Sequence, residues 1–279
     1  MGGQVTRRAA LGAACAGGMT WLAAAQGASE PRARPHVRCH PLIEAHRGDS
    51  AGAPECTLPA IERAITLGAD RVEIDLRTTR DGKLVVIHDD TVDRTTNGRG
   101  AVKDLDFAAI RKLDAGSWFG GAFAGARVPT FREVLDVAKG KIMVDIDLKV
   151  ADAVPAMVAE IRDAGMIDQV VITGEIPACA DAIRALAPTM TMFSEAGGIE
   201  QGIAIARKHQ LRGLNFAHEI LTAEFIRQAH LHGVCVTAWT VDDPSRIREL
   251  AEWGVDAIMT NETEKAIRTI EAAGLFRGR

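Results

Sequence analysis

The stretch Ile142-Met-Val-Asp-Ile-Asp-Leu148 decides the fold class of this chain. It is short and rich in aliphatic and β-branched residues, which favours a buried strand. An amphipathic stretch, Ala153–Ala164, follows it and is typical of a helix. A buried strand followed by such a helix is the unit from which the parallel sheets of α/β proteins are built.

The same unit recurs along the chain. The predicted strands are Leu42–His46, Arg71–Leu76, Ile142–Leu148, Gln169–Thr173, Thr189–Phe193, Arg212–Phe216, Val234–Thr240 and Val255–Thr260. The predicted helices are one that begins at Thr57, then Phe131–Ala138, Ala153–Ala164, Ala178–Leu186, Ile199–His209, Thr222–Leu231, Ser245–Trp253 and Thr263–Ala273. Eight strand–helix units predict a (β/α)₈ TIM barrel. The alternative is a doubly wound open sheet, but the glycine-rich turn that such a sheet favours after its first strand is missing.

One connection is longer than the others. Residues 77–129 separate the second strand from the second helix, whereas a barrel loop is usually short. We therefore expect one barrel domain over residues 40–275, with a small insertion at 77–129 after the second strand.

The first 28 residues resemble an export signal. Arg7 and Arg8 precede an uncharged segment, Leu11–Ala25, and small residues follow it. The paired arginines are typical of the twin-arginine route. The alternatives are a mitochondrial presequence and a disordered tail, but the pattern favours an exported, periplasmic or secreted protein.

Composition excludes several classes of protein. With 33 basic and 37 acidic residues, the net charge is −4, so there is no excess of cations for binding nucleic acid. Beyond the first 25 residues, no uncharged apolar run approaches the roughly 18 residues that a membrane span requires. We expect no nucleic-acid partner and no stable membrane anchor, and the sequence leaves the oligomeric state undecided.

Polar residues collect at the predicted strand ends, where a barrel carries its active site. Side chains repeat every two residues along a strand, so Glu73 and Asp75 share one face, as do Asp145, Asp147 and Lys149. Buried carboxylates need a cation, and oxygen ligands from two strands favour Ca²⁺ or Mg²⁺. The alternative is a polar layer in which Lys149 alone balances the acids.

Two histidines lie near these acids in the predicted barrel. His46 ends the first strand, and a two-residue turn at Asp81-Gly82 would place His88 directly opposite Asp75 in a hairpin. Histidines can exchange protons near neutral pH, and a divalent cation with Arg47 and Lys149 would neutralise an anionic phosphodiester. The combination indicates phosphoryl transfer.

Taken in order, the motifs resemble those of the glycerophosphodiester phosphodiesterase family. The matching runs are His46-Arg47-Gly48, Ala53-Pro54-Glu55-Cys56-Thr57, Glu73-Ile74-Asp75, Val85-Val86-Ile87-His88-Asp89, Arg94-Thr95-Thr96-Asn97-Gly98, Asp147-Leu148-Lys149 and Trp239-Thr240-Val241-Asp242. This resemblance implies a (β/α)₈ barrel and metal-dependent hydrolysis of glycerophosphodiesters to glycerol 3-phosphate and an alcohol.

The resemblance also implies roles for individual residues. His46 and His88 would be the general acid and base. One divalent cation would be bound by Glu73, Asp75 and Asp147, and the phosphate would be held by Arg47 and Lys149. Trp239 would line the glycerol pocket, and Glu55 would lie near the site. An alternative activity with the same site is that of a lysophospholipase D-like or cyclising phosphodiesterase acting on lysophospholipids. A catalytically inactive exported binding protein is a third alternative, although every implied site residue is present.

Two positions depart from the family pattern. Asp147 stands where the family usually has glutamate, so we expect the metal to lie closer to the third strand or Asp145 to assist. Cys56 replaces the usual asparagine after Glu55, and cysteine is the weaker hydrogen-bonding partner. We therefore expect the first loop to lose a polar contact.

Overall fold

The computed structural model describes residues 40–174 and 176–275. The predicted export signal, residues 1–28, lies outside these ranges. Within them, no helix combines the length and apolarity needed to cross a membrane.

Nine strands of the described residues form one sheet. They are β1 (Leu42–Ala45), β2 (Arg71–Thr78), β3 (Leu84–Val86), β4 (Met143–Leu148), β5 (Val170–Gly174), β6 (Thr191–Glu195), β7 (Gly213–Ala217), β8 (Cys235–Trp239) and β9 (Ala257–Thr260). All except β3 pair in parallel, and β1 pairs with both β9 and β2, which closes the sheet into a barrel. The predicted (β/α)₈ barrel is confirmed.

The helices of the described residues, with one exception, cover the outside of the barrel. They are α1 (Leu58–Leu67), α2 (Phe107–Ile110), α3 (Phe131–Ala138), α4 (Val154–Ala164), α5 (Ile176–Leu186), α6 (Ile199–His209), α7 (Ala223–Leu231), α8 (Pro244–Glu252) and α9 (Thr263–Ala272). The exception is α2, which belongs to the insertion after β2. In β2, residues 71–76 are buried on both faces, because one face meets the helices and the other fills the barrel.

The helix ends follow from local chemistry. Helix α1 starts after Thr57, as predicted, but the Thr57 hydroxyl donates to the Pro54 carbonyl at 2.6 Å and does not cap the helix. Gly68 ends the helix in the left-handed conformation that glycine adopts without strain. At the start of α3, Thr130 and Glu133 form a reciprocal capping box.

The hairpin of β2 and β3 differs from its predicted register. Thr79 and Lys83 flank a three-residue loop, so Asp75 lies opposite Ile87. His88, which was expected opposite Asp75, is therefore displaced by one residue. The two-residue turn was therefore wrong. Gly82 adopts a positive φ of 76°, which suits the three-residue loop with glycine at the left-handed position.

The segment between β2 and α3 has a small core of its own. Its buried apolar residues are Val85, Ile87, Val92, Val102, Ile110, Ala115 and Val128. An aromatic group, Phe119 stacked edge-on against Trp118 and Phe123, belongs to the same segment. This packing orders the stretch that carries His88.

Candidate active site

A cavity of about 280 Å³, lined mostly by charged and polar residues, opens at the carboxyl ends of the barrel strands. Its lining residues are His46, Arg47, Glu73, Asp75, His88, Asp147, Lys149, Thr173, Glu195, Asn215, Trp239, Thr240 and Met259. The barrel thus brings together all but one of the predicted site residues, and the exception, Glu55, contacts Arg47 beside the cavity.

Three carboxylates form the centre of the site. The parallel register of β2 and β4 sets Asp75 beside Asp147, and Glu73 lies two residues earlier on the same face as Asp75. One oxygen from each carboxylate lies within 4.8 Å of the others. Burial raises the pKa of Glu73 well above its ordinary value, and the charges of Asp75 and Asp147 raise it further. This crowding of negative charge fits a divalent cation with oxygen ligands.

Two basic side chains partly balance these acids. The ammonium of Lys149 lies 2.5 Å from Asp147 and 3.0 Å from Asp75. Burial alone would lower the pKa of Lys149, but the carboxylates of Asp75 and Asp147 raise it above its ordinary value. Glu73, however, accepts a hydrogen bond from the backbone N–H of Arg47 at 2.8 Å, and no ammonium of residues 40–174 or 176–275 pairs with it. Lys149 therefore pairs directly with two of the three carboxylates.

Asp145 does not join the three carboxylates. It is fully buried and accepts a hydrogen bond from Thr173 at 2.8 Å, while burial and the carboxylate of Glu44 raise its pKa. Glu44 in turn forms an ion pair with Arg71 at 2.6 Å inside the barrel. The geometry therefore gives no support to the alternative in which Asp145 assists the metal, because this side chain belongs to the deeper Glu44–Arg71 cluster.

His46 is held by a residue that sequence reasoning missed. Its Nδ1 lies 2.7 Å from Oδ1 of Asn261, whose Nδ2 donates to Asp242 at 2.8 Å. Because the amide N of Asn261 is used by Asp242, its oxygen faces His46 and the imidazole carries its proton on Nδ1. The other ring nitrogen, Nε2, is then free to exchange a proton. Asn261 follows the eighth barrel strand, so reading that strand end in the sequence could have identified it.

His88 has a charged partner instead. Its Nδ1 donates to Oδ1 of Asp89 at 2.7 Å. The hydrogen bonds that Arg94 donates lower the pKa of Asp89 well below its ordinary value, and the hydrogen bond from His88 lowers it further. Asp89 therefore stays ionised and keeps the His88 proton on Nδ1, which leaves Nε2 available, as in His46.

Arg47 is surrounded by acids. Its Nη1 donates to Glu55 at 2.9 Å, and its Nε lies 3.6 Å from Asp75. Arg47 occupies the left-handed region with a φ of 57°, which is uncommon for a residue with a side chain. This conformation lets its backbone N–H reach Glu73 while its side chain reaches Glu55.

Trp239, expected to line the glycerol pocket, lies in the wall of the cavity. Its indole Nε1 is buried and finds no hydrogen-bond partner among the described residues, and the same holds for Oδ1 of Asn215. Both residues line the cavity. A donor and an acceptor without protein partners fit a substrate that carries hydroxyl groups.

Cys56 keeps the polar contact that its sequence position was expected to lose. Its thiol donates to Oδ2 of Asp75 at 3.3 Å. Burial raises the pKa of the Cys56 thiol, and the charges of Asp75 and Glu73 raise it further, so the thiol stays protonated and can donate. Cys56 also adopts a left-handed φ of 56°.

Gly174 makes room for Asp147 and was missed by sequence reasoning. Its φ is +84°, and a Cβ placed there would lie 2.4 Å from Oδ1 of Asp147. A single glycine after a predicted strand carries no signal that distinguishes this role.

Known proteins resemble this chain over most of its length. A sequence profile described as the glycerophosphoryl diester phosphodiesterase family matches residues 46–265. A glycerophosphodiester phosphodiesterase from Caldanaerobacter subterraneus subsp. tengcongensis is 35% identical over 241 residues, which cover 84% of this chain and 99% of that protein.

Two solved structures share the fold. A glycerophosphodiester phosphodiesterase from Agrobacterium tumefaciens superposes with a TM-score of 0.75 at 30% identity, covering 82% of this chain and 99% of that one. A phosphodiesterase from Oleispira antarctica, in complex with the product sn-glycerol-3-phosphate, superposes with a TM-score of 0.79 at 26% identity, covering 83% and 97%.

Proposed function

Since this chain belongs to the glycerophosphoryl diester phosphodiesterase family and is a phosphoric diester hydrolase, we propose that it hydrolyses glycerophosphodiesters to glycerol 3-phosphate and an alcohol with the help of one divalent cation. The observation that carries the proposal is the cavity in which three clustered carboxylates, two basic residues and two histidines meet. The product named for the Oleispira antarctica structure supports the choice of substrate class.

Glu73, Asp75 and Asp147 would hold the cation, which we propose to be Ca²⁺ or Mg²⁺ because the three ligands offer only carboxylate oxygens. When bound, such an ion neutralises charge on the phosphoryl oxygens as the diester reacts. Glu73 and Asp75 are buried, so they are held in place by the strand and have little freedom to turn away.

Arg47 and Lys149 would bind the phosphate. Both line the cavity, and both are anchored by carboxylates, which fixes where their positive charges lie. Fixed charges of this kind stabilise a developing negative charge without having to reorganise during the reaction.

His46 and His88 would move the protons. One accepts a proton from the attacking group and the other donates one to the leaving alcohol, each through the Nε2 that its Nδ1 hydrogen bond leaves free. Asn215, Trp239 and Glu55 would complete the substrate-binding residues: Asn215 and Trp239 offer unpartnered polar atoms, and Glu55 orients Arg47.

An assay of the purified protein tests this proposal. Glycerophosphocholine and glycerophosphoethanolamine are incubated with the protein after chelation, and again with Ca²⁺ or Mg²⁺ added. We expect no turnover in chelator, recovery with one of the ions, and glycerol 3-phosphate by phosphorus NMR. Full activity in a strong chelator would contradict the metal requirement. A cyclic glycerol phosphate would instead favour the cyclising alternative, and turnover of lysophospholipids alone would favour the lysophospholipase D-like one.

We also propose that the chain is exported, from the paired arginines and the uncharged segment within its first 28 residues. Cell fractionation of a tagged full-length chain, with Arg7 and Arg8 changed to lysine as the comparison, tests this. Export by the twin-arginine route predicts that the change retains the protein in the cytoplasm. Equal export of both forms would exclude that route.

A further inference from the structure

Arg94 joins two carboxylates that belong to different loops. Its Nε and Nη2 donate to Asp89 at 2.7 and 2.9 Å, and its Nη1 and Nη2 donate to Glu55 at 2.7 Å each. Asp89 follows β3 in the insertion, whereas Glu55 lies between β1 and α1. The guanidinium therefore ties the insertion to the first loop of the barrel.

Each of these carboxylates supports a residue of the cavity. Asp89 accepts the hydrogen bond from Nδ1 of His88 at 2.7 Å, and Glu55 accepts from Arg47 at 2.9 Å. A continuous chain of hydrogen bonds thus runs from Arg47 through Glu55, Arg94 and Asp89 to His88. Arg94 is its central link.

We propose that Arg94 is a positioning residue that fixes the His88 imidazole and the Arg47 guanidinium at the same time, through Asp89 and Glu55. The proposal rests on the proposed function, because it assigns to Arg94 the alignment of the residues that would move a proton and bind the phosphate. Arg94 itself does not line the cavity.

The geometry distinguishes Arg94 from an ordinary surface ion pair. Exposed pairs with one contact contribute little, because the side chains lose entropy and water screens the charges. Arg94 is 44% exposed but makes paired contacts with both acids, and its planar guanidinium presents donors in a fixed arrangement. A lysine at this position offers a point charge and cannot hold both carboxylates in this way.

Kinetics of Arg94→Ala and Arg94→Lys test the proposal, with Arg99→Gln as the matched control. Arg99 lies in the same insertion, is 82% exposed and makes a single 3.4 Å contact with Asp93. A positioned acid or base contributes roughly 10²- to 10⁴-fold to the rate, so partial misalignment of His88 should lower kcat about 10- to 100-fold. We expect KM to rise as well, since Arg47 loses its anchored partner, and we expect Arg99→Gln to match the wild type.

Chemical rescue separates positioning from folding. The site of the Arg94 side chain is open to water, so guanidinium ion at millimolar concentration should restore part of kcat in Arg94→Ala and none in His88→Ala. Rescue that is absent, or a kcat of Arg94→Ala within twofold of the Arg99→Gln control, would overturn the proposal.

A readout without substrate keeps this test separate from the proposed function. In protein labelled with ¹⁵N-histidine, the His88 ring should show a single Nδ1-protonated form in the wild type and a mixture of tautomers in Arg94→Ala, with His88→Gln used to assign the signal. An unchanged His88 signal in Arg94→Ala overturns the positioning role. Failure of the proposed function would appear instead as a wild-type protein that hydrolyses no glycerophosphodiester with either ion.

Discussion

Nδ1 of His46 lies 2.7 Å from Oδ1 of Asn261, a residue 215 positions further along the chain. Asn261 is itself fixed, since its backbone N–H and its side-chain Nδ2 both donate to Asp242, each at 2.8 Å. The contact exists because β1 pairs with β9 where the barrel closes. The proton position on the His46 ring is therefore set by the closure of the fold.

Removing either histidine should abolish turnover and leave the fold intact. His46→Ala and His88→Ala each delete a group that would exchange a proton, and such groups contribute roughly 10²- to 10⁴-fold. Both kcat and the thermal unfolding temperature should be measured, with the exposed His232→Ala as control. His232 precedes β8 and so lies at the opposite end of the barrel from the cavity. Substantial activity in either active-site variant would contradict the assigned roles.

Changing Asn261 should slow the reaction through His46. In Asn261→Ala the imidazole loses the acceptor that holds its proton on Nδ1, so we expect kcat to fall about tenfold or more while KM changes little. Ser50→Ala is the matched control. The Ser50 hydroxyl donates to the same Oδ1 of Asn261 at 3.0 Å, but that hydrogen bond does not involve His46. Equal losses in the two variants would show that the Asn261 contact does not orient the ring.

His46 should titrate below the ordinary histidine pKa of about 6.5. Burial lowers the pKa of His46, and so does the charge of Arg47, against the opposing effects of Asn261, Asp75 and Glu55. A lowered pKa means that the ring is neutral at pH 7 and gains its proton only on acidification. An NMR titration of the metal-free protein measures this, and Asn261→Asp, which adds a negative charge, should raise the midpoint. A wild-type midpoint above that of Asn261→Asp would contradict this account of how neighbouring charges shift the pKa of His46.

Gly174→Ala should damage both stability and the metal site. A left-handed φ costs a residue with a side chain about 1–2 kcal/mol, and here the new Cβ would also collide with Oδ1 of Asp147. Gly140→Ala should lose only the stability that the left-handed backbone costs, because Gly140 has a φ of +70° and open space around the new Cβ. Denaturant unfolding and metal titration should show weakened metal binding in Gly174→Ala alone. Similar metal affinity in the two variants would mean that Asp147 tolerates the collision.

Cys56→Asn should unfold at a higher denaturant concentration than Cys56→Ala. Asparagine adopts the left-handed region more readily than other residues with side chains, and its amide can donate to Asp75 as the thiol does. Alanine keeps the backbone cost and leaves Oδ2 of Asp75 without this donor, a loss of about 1 kcal/mol for a typical hydrogen bond. If Cys56→Ala proves the more stable of the two, the thiol contact does not support Asp75.

Local patterns in the sequence were sufficient for the barrel and for most of the site. Strand and helix periodicity marks each of the eight units, because burial on one or both faces imposes a repeat that short segments carry by themselves. The two-residue repeat of a strand also places Glu73 and Asp75 on one face without knowledge of any neighbour. The histidine, arginine and lysine beside these acids follow from reading the strand ends in order.

Which of these residues meet depends on the tertiary structure. The alignment of Asp75 with Asp147, the separation of Asp145 into the Glu44–Arg71 cluster and the contact of His46 with Asn261 all depend on how strands distant in sequence pair. Strand register is set by packing and barrel closure across the whole molecule, so no short segment contains it. The hairpin register is instead fixed by its loop, whose three residues shifted His88 by one position yet left it lining the cavity.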